Sequence, residues 1–294
     1  MVKVSGGGTS AKGVVAHFKY LNRRPEFEIE TDDGEHLQGR RLVKNLVEEW
    51  DLELDAAEVS SRFGFRRAAL LNDLEAMAYS VRVLTSDELQ VLQEGQVNPA
   101  GNMAVIAAGT GLGEALLHRV GDRYVPSATE GGHADFAARS DREIDLVRDL
   151  RSRFGRVEVE RVISGRGLLH LYAFTHRGAC AAGIDLDDPG AAAAISAAAL
   201  SHACAECEAA LGMFVDAYGA EAGNLGLRTV ATGGVYVGGG IAPKILPALT
   251  SGAFMRAFRA KPPLDELLGR MPVQIILNPE TGLLGAAVFA AANA

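Results

Sequence analysis

Met103–Gly113 reads MAVIAAGTGLG. Six consecutive apolar residues closed by glycine have the length and composition of a fully buried strand, and the glycines behind them supply a turn. Glu114–Val120, the pair Gly121-Asp122 and then Arg123–Pro126 read as a hairpin continuing from that turn. A glycine turn lets backbone come close to an anionic ligand, with exposed N–H groups and the Thr110 hydroxyl able to donate to phosphate oxygens. GTGLG is not a P-loop, because no G-K-[ST] follows it.

Glycine gathers at Gly6–Gly8, Gly131-Gly132 and Gly233–Gly240 as well. Ser140 is placed to cap a helix over Asp141–Phe154, with Glu143 three residues on and Ile144, Leu146, Val147 and Leu150 as its apolar stripe. One helix is expected from about Gly190 to Tyr218, a strand at Thr229–Thr232, a helix over Ala242–Ser251 and a strand at Val273–Leu277. Phe65–Leu71 reads as an apolar run that ends at Asn72-Asp73 and leads into a helix over Leu74–Val83. Strands and helices mixed in this way, with glycine turns at the strand ends, give an α/β architecture whose ligands sit at those ends. GGVYVGGG does not meet the dinucleotide fingerprint, which disfavours a nicotinamide enzyme.

The composition excludes several classes. The chain has 294 residues, 48% of them hydrophobic, which suffices for a large buried core. A formal charge of −8, with only short Arg pairs, disfavours nucleic acid as a partner. No apolar run reaches the roughly 18 residues of a membrane span, and MVKVSGGGTSAKG lacks the core of a signal peptide, so the expected location is the cytosol. Three cysteines are too few for a disulfide framework. Cys204 and Cys207 are read as small residues on a packed helix rather than as ligands, and no metal site is expected.

Two further constellations carry chemistry. Asp73, at a strand-to-helix junction, suits either a helix N-cap or a general base with Asn72 orienting the same substrate. Glu130-Gly131-Gly132-His133 bends sharply enough to aim a carboxylate and an imidazole into one pocket, a combination suited to a polyhydroxylated ligand. Glu160, in Val157-Glu158-Val159-Glu160-Arg161, adds an acceptor or makes a surface ion pair.

Together these segments resemble the bacterial glucokinase family, within the wider hexokinase, actin and sugar-kinase fold. The matching stretches are LLNDLEAMAY at Leu70–Tyr79, the strand and GTGLG at Val105–Gly113, TEGGHADFA at Thr129–Ala137, VERVISGRGLLHLY at Val159–Tyr172 and ATGGVYVGGGIAPKIL at Ala231–Leu246. The resemblance implies a two-lobed, actin-like (ribonuclease H-like) α/β fold with a cleft between the lobes. Residues 1–83 would form the small lobe, joined by a C-terminal helix at about 281–294, and residues 84–280 the large one. It implies phosphoryl transfer from ATP, with Mg2+, to the 6-hydroxyl of glucose, and family habit favours a homodimer. Asp73 then stands as the catalytic base. Asn72, Glu130, His133 and Glu160 hold the other hydroxyls, while Gly109, Thr110, Gly111 and Gly113, with Gly238, Gly239 and Gly240, face ATP. The cysteine-rich zinc motif of the related repressor and sugar-kinase group is absent.

The amino-terminal part departs from the family. Where members carry D-x-G-G-T, this chain has Ser5-Gly6-Gly7-Gly8-Thr9, so serine replaces the acid, and Gly8 and Thr9 are the remaining candidates for ATP contact there. The G-P-V segment is not recognisable, and Asn45–Trp50 is at best a disturbed form of the N-L-P-W turn. An active kinase and a catalytically impaired, glucose-binding relative are both compatible with these changes.

Overall fold

The structure, a computed structural model, describes residues 2–5, 17–21, 24–28, 56–57, 61, 68–176, 178 and 180–293. The expectations placed on Gly8, Thr9 and Asn45–Trp50 lie outside the described residues. The chain divides into two compact units, Met1–Thr85 with Asn278–Ala294, and Ser86–Leu277.

In the first unit, β1 (Val2–Ser5) runs parallel to β4 (Ala69–Asn72), with Ser5 in register with Asn72. A separate antiparallel pair is formed by β2 (His17–Leu21) and β3 (Arg24–Glu28). Helix α1 (Asp73–Ser80) follows β4 directly and ends in a 3-10 turn over Val81–Val83.

The second unit is built on a six-stranded sheet that begins with β5 (Leu89–Gln93), β6 (Met103–Ala108), β7 (Leu112–Val120) and β8 (Arg123–Thr129). All six residues of β6 are buried, as its unbroken apolar run requires. The hairpin pairs Val120 with Arg123 around Gly121, whose φ is +58°, and extends three residues past Pro126. Helix α2 (Asp141–Phe154) starts at the expected cap, where the Ser140 hydroxyl accepts from the Glu143 amide at 3.2 Å. Leu146 and Leu150 are fully buried, each stabilising by roughly 1.5–3 kcal/mol. Ile144 faces outward at 40% exposure, so the buried stripe is narrower than the apolar pattern suggested. The Glu143 carboxylate turns away from the cap and binds Arg139 through both its backbone and its guanidinium.

Next come α3 (Gly165–Thr175), α4 (Ala191–Leu200) and α5 (Ala205–Thr229). The single helix expected over Gly190–Tyr218 is therefore two, broken at Ser201–Cys204, where His202 adopts a left-handed φ of 56°. Alanine-rich composition favours helix on both sides of the break and carries no signal for it. Thr229 closes α5 instead of opening a strand, and the next strand, β9 (Gly234–Gly238), lies within the glycine stretch. The expected helix over Ala242–Ser251 splits into a 3-10 turn, Ala242–Ile245, and the short α6 (Leu246–Thr250), whose first turn contains Pro247. Two more helices, α7 (Ala253–Arg259) and α8 (Asp265–Arg270), precede β10 (Val273–Ile276). The strand order is β5-β10-β9-β6-β7-β8, with β10, β9 and β6 parallel to one another.

Buried side chains of α5, Leu211, Phe214, Val215, Tyr218, Ala222 and Leu225 among them, join those of the sheet and of α2, α3 and α7 in one core. The chain then re-enters the first unit through α9 (Thr281–Ala292), which packs along α1. No helix among the described residues is long and apolar enough to cross a membrane.

Candidate active site

Strands β6 and β9 run parallel with Ala107 opposite Gly238, so the GTGLG and GGG turns leave the sheet side by side. Open α/β sheets bind ligands at such strand ends. Gly109, Thr110, Gly111 and Gly113 are thereby brought together with Gly238, Gly239 and Gly240. Behind them, the buried Tyr218 hydroxyl accepts from the Ala108 amide at 3.1 Å and lies 3.3 Å from the Ile106 carbonyl and 3.2 Å from that of Gly238. One phenol thus ties both strand ends to α5, and burial pushes its pKa up. Gly239 has φ +86°, which a side chain would strain. Within the first turn, the Gly109 amide donates to the Gly111 carbonyl at 2.8 Å, and the Gly109 carbonyl accepts from Gly165 at the start of α3, also at 2.8 Å. The amides of Thr110 and Gly111 make no hydrogen bond to any described residue, which leaves two donors for a ligand.

Glu160 joins this turn to the second constellation. Its Oε2 accepts from the Leu112 amide at 2.8 Å, and a Cβ at residue 111 would come 2.5 Å from the same oxygen, so a side chain there would displace the Glu160 carboxylate. The Glu130–His133 segment folds as a 3-10 turn over Gly131–His133, with the His133 amide donating to the Glu130 carbonyl at 3.0 Å. It is laid against the Glu160 segment by backbone bonds from Val159 to Ala134, 2.9 Å, and from Phe136 to Val157, 3.0 Å. Val157 and Val159 are buried in the core, whereas Glu158 and Glu160, the cap and second residue of a 3-10 turn over Val159–Arg161, are only partly buried. His133 Nδ1 lies 3.2 Å from Glu158 Oε2, and polar atoms of His133, Glu158 and Glu160 all lie within 4.8 Å of one another. Glu158 is not singled out by the sequence, because the 3-10 turn and a contact across 25 residues bring it to His133. Glu130 stands exposed at the start of the turn.

In the first unit, the two readings of Asp73 separate. The cap is Asn72, whose Oδ1 accepts from Leu74 at 2.8 Å and Glu75 at 3.3 Å. Asp73 is the first residue of α1, with Oδ1 accepting from the Leu74 amide at 2.8 Å. The N-cap expected of Asp73 thus belongs to its neighbour, because the Asn72 backbone is extended (φ −62°, ψ 147°) and the helix begins one residue later.

A family model described as Glucokinase matches residues 41–293. A glucokinase from Synechocystis sp. is 38% identical over 265 residues, 82% of this chain and 73% of the relative. One from Nostoc punctiforme is 39% identical over 272 residues, 85% of this chain and 79% of the relative. This chain belongs to the glucokinase family. A solved glucokinase from an Antarctic psychrotroph aligns with a TM-score of 0.76 at 28% identity, covering 100% of this chain and 99% of that one. A ROK family glucokinase from Streptomyces griseus, solved with glucose and AMPPNP, aligns at 0.55 and 16% identity over 94% of this chain and 99% of its own, a likeness of fold. The α/β architecture is that of the actin-like sugar kinases.

One acid of this glucokinase family member gave no sign of itself in the sequence. Glu114, opposite Thr129 in the hairpin, is 1% exposed. The Thr129 hydroxyl donates to the Glu114 carbonyl at 3.2 Å and accepts from the Gly131 amide at 3.1 Å, so this residue backs the Glu130–His133 turn. Among the described residues its Oε1 has no hydrogen-bond partner, and Arg228 is 3.7 Å from Oε2 but 2.7 Å from Glu221. Burial first, and the Glu221 carboxylate second, push the Glu114 carboxyl from 4.5 up to about 7 against the pull of Arg228. Since the folded state holds this proton more tightly than the unfolded one, the associated stability is full below about pH 4.5 and is lost as pH rises through about 7. Glu114→Gln removes that dependence. Thermal melts should show the variant gaining on the parent by an amount of order 3 kcal/mol at pH 8 and almost nothing at pH 4.5. Parallel pH profiles for the two proteins would refute the assignment.

Proposed function

We propose that this ATP-dependent hexose kinase transfers the γ-phosphoryl group of ATP to the 6-hydroxyl of glucose, giving glucose 6-phosphate and ADP. The observation that carries the reading is the junction made by Glu160, which bonds the amide of a phosphate-type turn while lying among the polar atoms of His133 and Glu158. Carboxylates accept and an imidazole can do either, which matches sugar hydroxyls that are each donor and acceptor. A phosphate turn beside such a set suits phosphoryl transfer to a polyol.

In this reading Glu130, His133 and Glu160 hold ring hydroxyls. Asn72 contributes its side-chain amide N–H, its oxygen being engaged by the helix cap. Asp73 takes the O6 proton as O6 attacks Pγ. The O6–Pγ bond forms, the bond from Pγ to the β,γ-bridging oxygen breaks, and its electron pair leaves with ADP. Mg2+ enters with ATP as part of the substrate and spreads the phosphate charge. The Thr110 and Gly111 amides and the Thr110 hydroxyl receive phosphate oxygens, Gly109 and Gly113 shape that turn, and Gly238–Gly240 line the nucleotide. Gly8 and Thr9 are assigned to the same ATP on the resemblance alone. The family likeness also supports a homodimer, action in the cytosol, and no nucleic-acid or membrane partner.

A coupled assay of ADP release with glucose and Mg-ATP, run beside mannose, glucosamine and fructose and beside ADP and polyphosphate as donors, tests this. The expected result is turnover greatest with glucose and ATP. Glucose binding by calorimetry without turnover would replace the reading with an impaired sugar-binding relative. Glu160→Gln should raise the KM for glucose about tenfold to a hundredfold, the worth of a hydrogen bond to a charged group, with a smaller change in kcat.

A further inference from the structure

Cys204 and Cys207 do more than fill a helix face. The break between α4 and α5 puts Cys204 at the cap of α5 and Cys207 in its first turn, both buried. Cys180 and His176, which are 24 and 28 residues before Cys204, come back to the same point. Cys180 Sγ lies 3.6 Å from Cys204 Sγ and 3.9 Å from Cys207 Sγ, and His176 Nε2 lies 3.4 Å from Cys204 Sγ. All four ligand atoms fall within 4.8 Å of one another. All three cysteines are free thiols.

These spacings are those of a tetrahedron around a metal. With Zn–S near 2.3 Å and Zn–N near 2.0–2.1 Å, tetrahedral geometry sets S···S edges of about 3.8 Å and S···N edges of about 3.6 Å. A disulfide would need two sulfurs about 2.05 Å apart and would leave the third thiol over. Cys204-x2-Cys207 has the short spacing of paired zinc ligands. The imidazole is set for the purpose: its Nδ1 lies 2.9 Å from the Tyr172 carbonyl and can donate to it, which leaves Nε2 as an acceptor facing the sulfurs. Tyr172 stacks on the His176 ring at 3.7 Å and fixes its plane.

We infer that His176, Cys180, Cys204 and Cys207 form a structural zinc site. Soft thiolates with one imidazole select Zn2+ over oxygen-seeking cations, and four protein ligands leave no open position for catalysis. Binding replaces the thiol protons with the metal. The ion would fasten the end of α3 and the segment after it to the start of α5. The first residue of α3 holds the Gly109 carbonyl, and α5 carries Tyr218, so the clamp joins the two helices that seat the nucleotide turns. The inference does not depend on the kinase reading.

The test uses the full chain, produced with added zinc and purified under reducing conditions without chelator. Elemental analysis should find one zinc per chain, and Co2+ exchanged for it should give sulfur-to-cobalt charge transfer and intense visible bands of a tetrahedral thiolate site. C204S/C207S should lose the metal to background. If that variant does not fold, stepwise titration of the parent's thiols with a mercurial should release the zinc as the three thiols are consumed. A reduced parent chain that takes up neither zinc nor cobalt, with thiols equally reactive with and without zinc, would overturn the inference.

Discussion

Asp73→Asn should lower kcat by about 10²- to 10⁴-fold, the usual worth of a positioned general base, while glucose binding stays within a few-fold. The substitution is close to isosteric. Asp73 is the first residue of α1, and the hydrogen bond its Oδ1 accepts from the Leu74 amide can be accepted by an asparagine oxygen. The helix is capped by Asn72, which the change does not touch. The folded state loses the attraction of a first-turn carboxylate for the helix dipole, about 0.3–1 kcal/mol. Steady-state kinetics, calorimetry with glucose and a melting curve separate these contributions. Turnover equal to the parent's would end the assignment of Asp73 as the base.

Gly285→Ala should destabilise the first unit by about 1–3 kcal/mol or more, as overpacking of a tight contact does. Helix propensity alone gives the opposite sign, since alanine in a helix interior is favoured over glycine by about 0.8–1.0 kcal/mol. Packing decides, because α9 crosses α1 with no room at this point. A Cβ on residue 285 would overlap the Ala76 carbonyl oxygen and lie 2.6 Å from its carbon and 3.0 Å from the Ser80 nitrogen. These are backbone atoms of an eight-residue helix, so α1 must shift as a body. Asp73 begins that helix, and kcat should fall together with the melting temperature. A variant as stable as the parent would mean that the two helices do not pack this closely.

The elements that could be read in advance are those specified by neighbours in the chain. MAVIAA became β6 residue for residue, since six apolar side chains bounded by glycine have few alternatives to a buried strand. Ser140 capped α2 because its hydroxyl needs only the amide three residues on. The strand expected at Thr229–Thr232 failed for the converse reason. Thr229 bonds back to the Leu225 carbonyl at 2.6 Å as the last turn of a 25-residue helix, and β-branching could not outweigh that helix's burial. Among the site residues, Thr110, His133, Glu160 and the glycines carried recognisable motifs. Glu114 did not, because an acid in a hairpin strand looks solvent-facing until α5 closes over it.

Local pattern and ordered motifs were enough to give the family, the strand-and-turn units and the residue types of the candidate site. That Glu158 joins His133, that Asn72 rather than Asp73 caps α1, and that His176, Cys180, Cys204 and Cys207 share one point emerges from the folded chain alone. Each of these contacts depends on where the backbone places a side chain. For the cysteines, that takes a helix break and a long-range return of the chain, neither of which local pattern encodes.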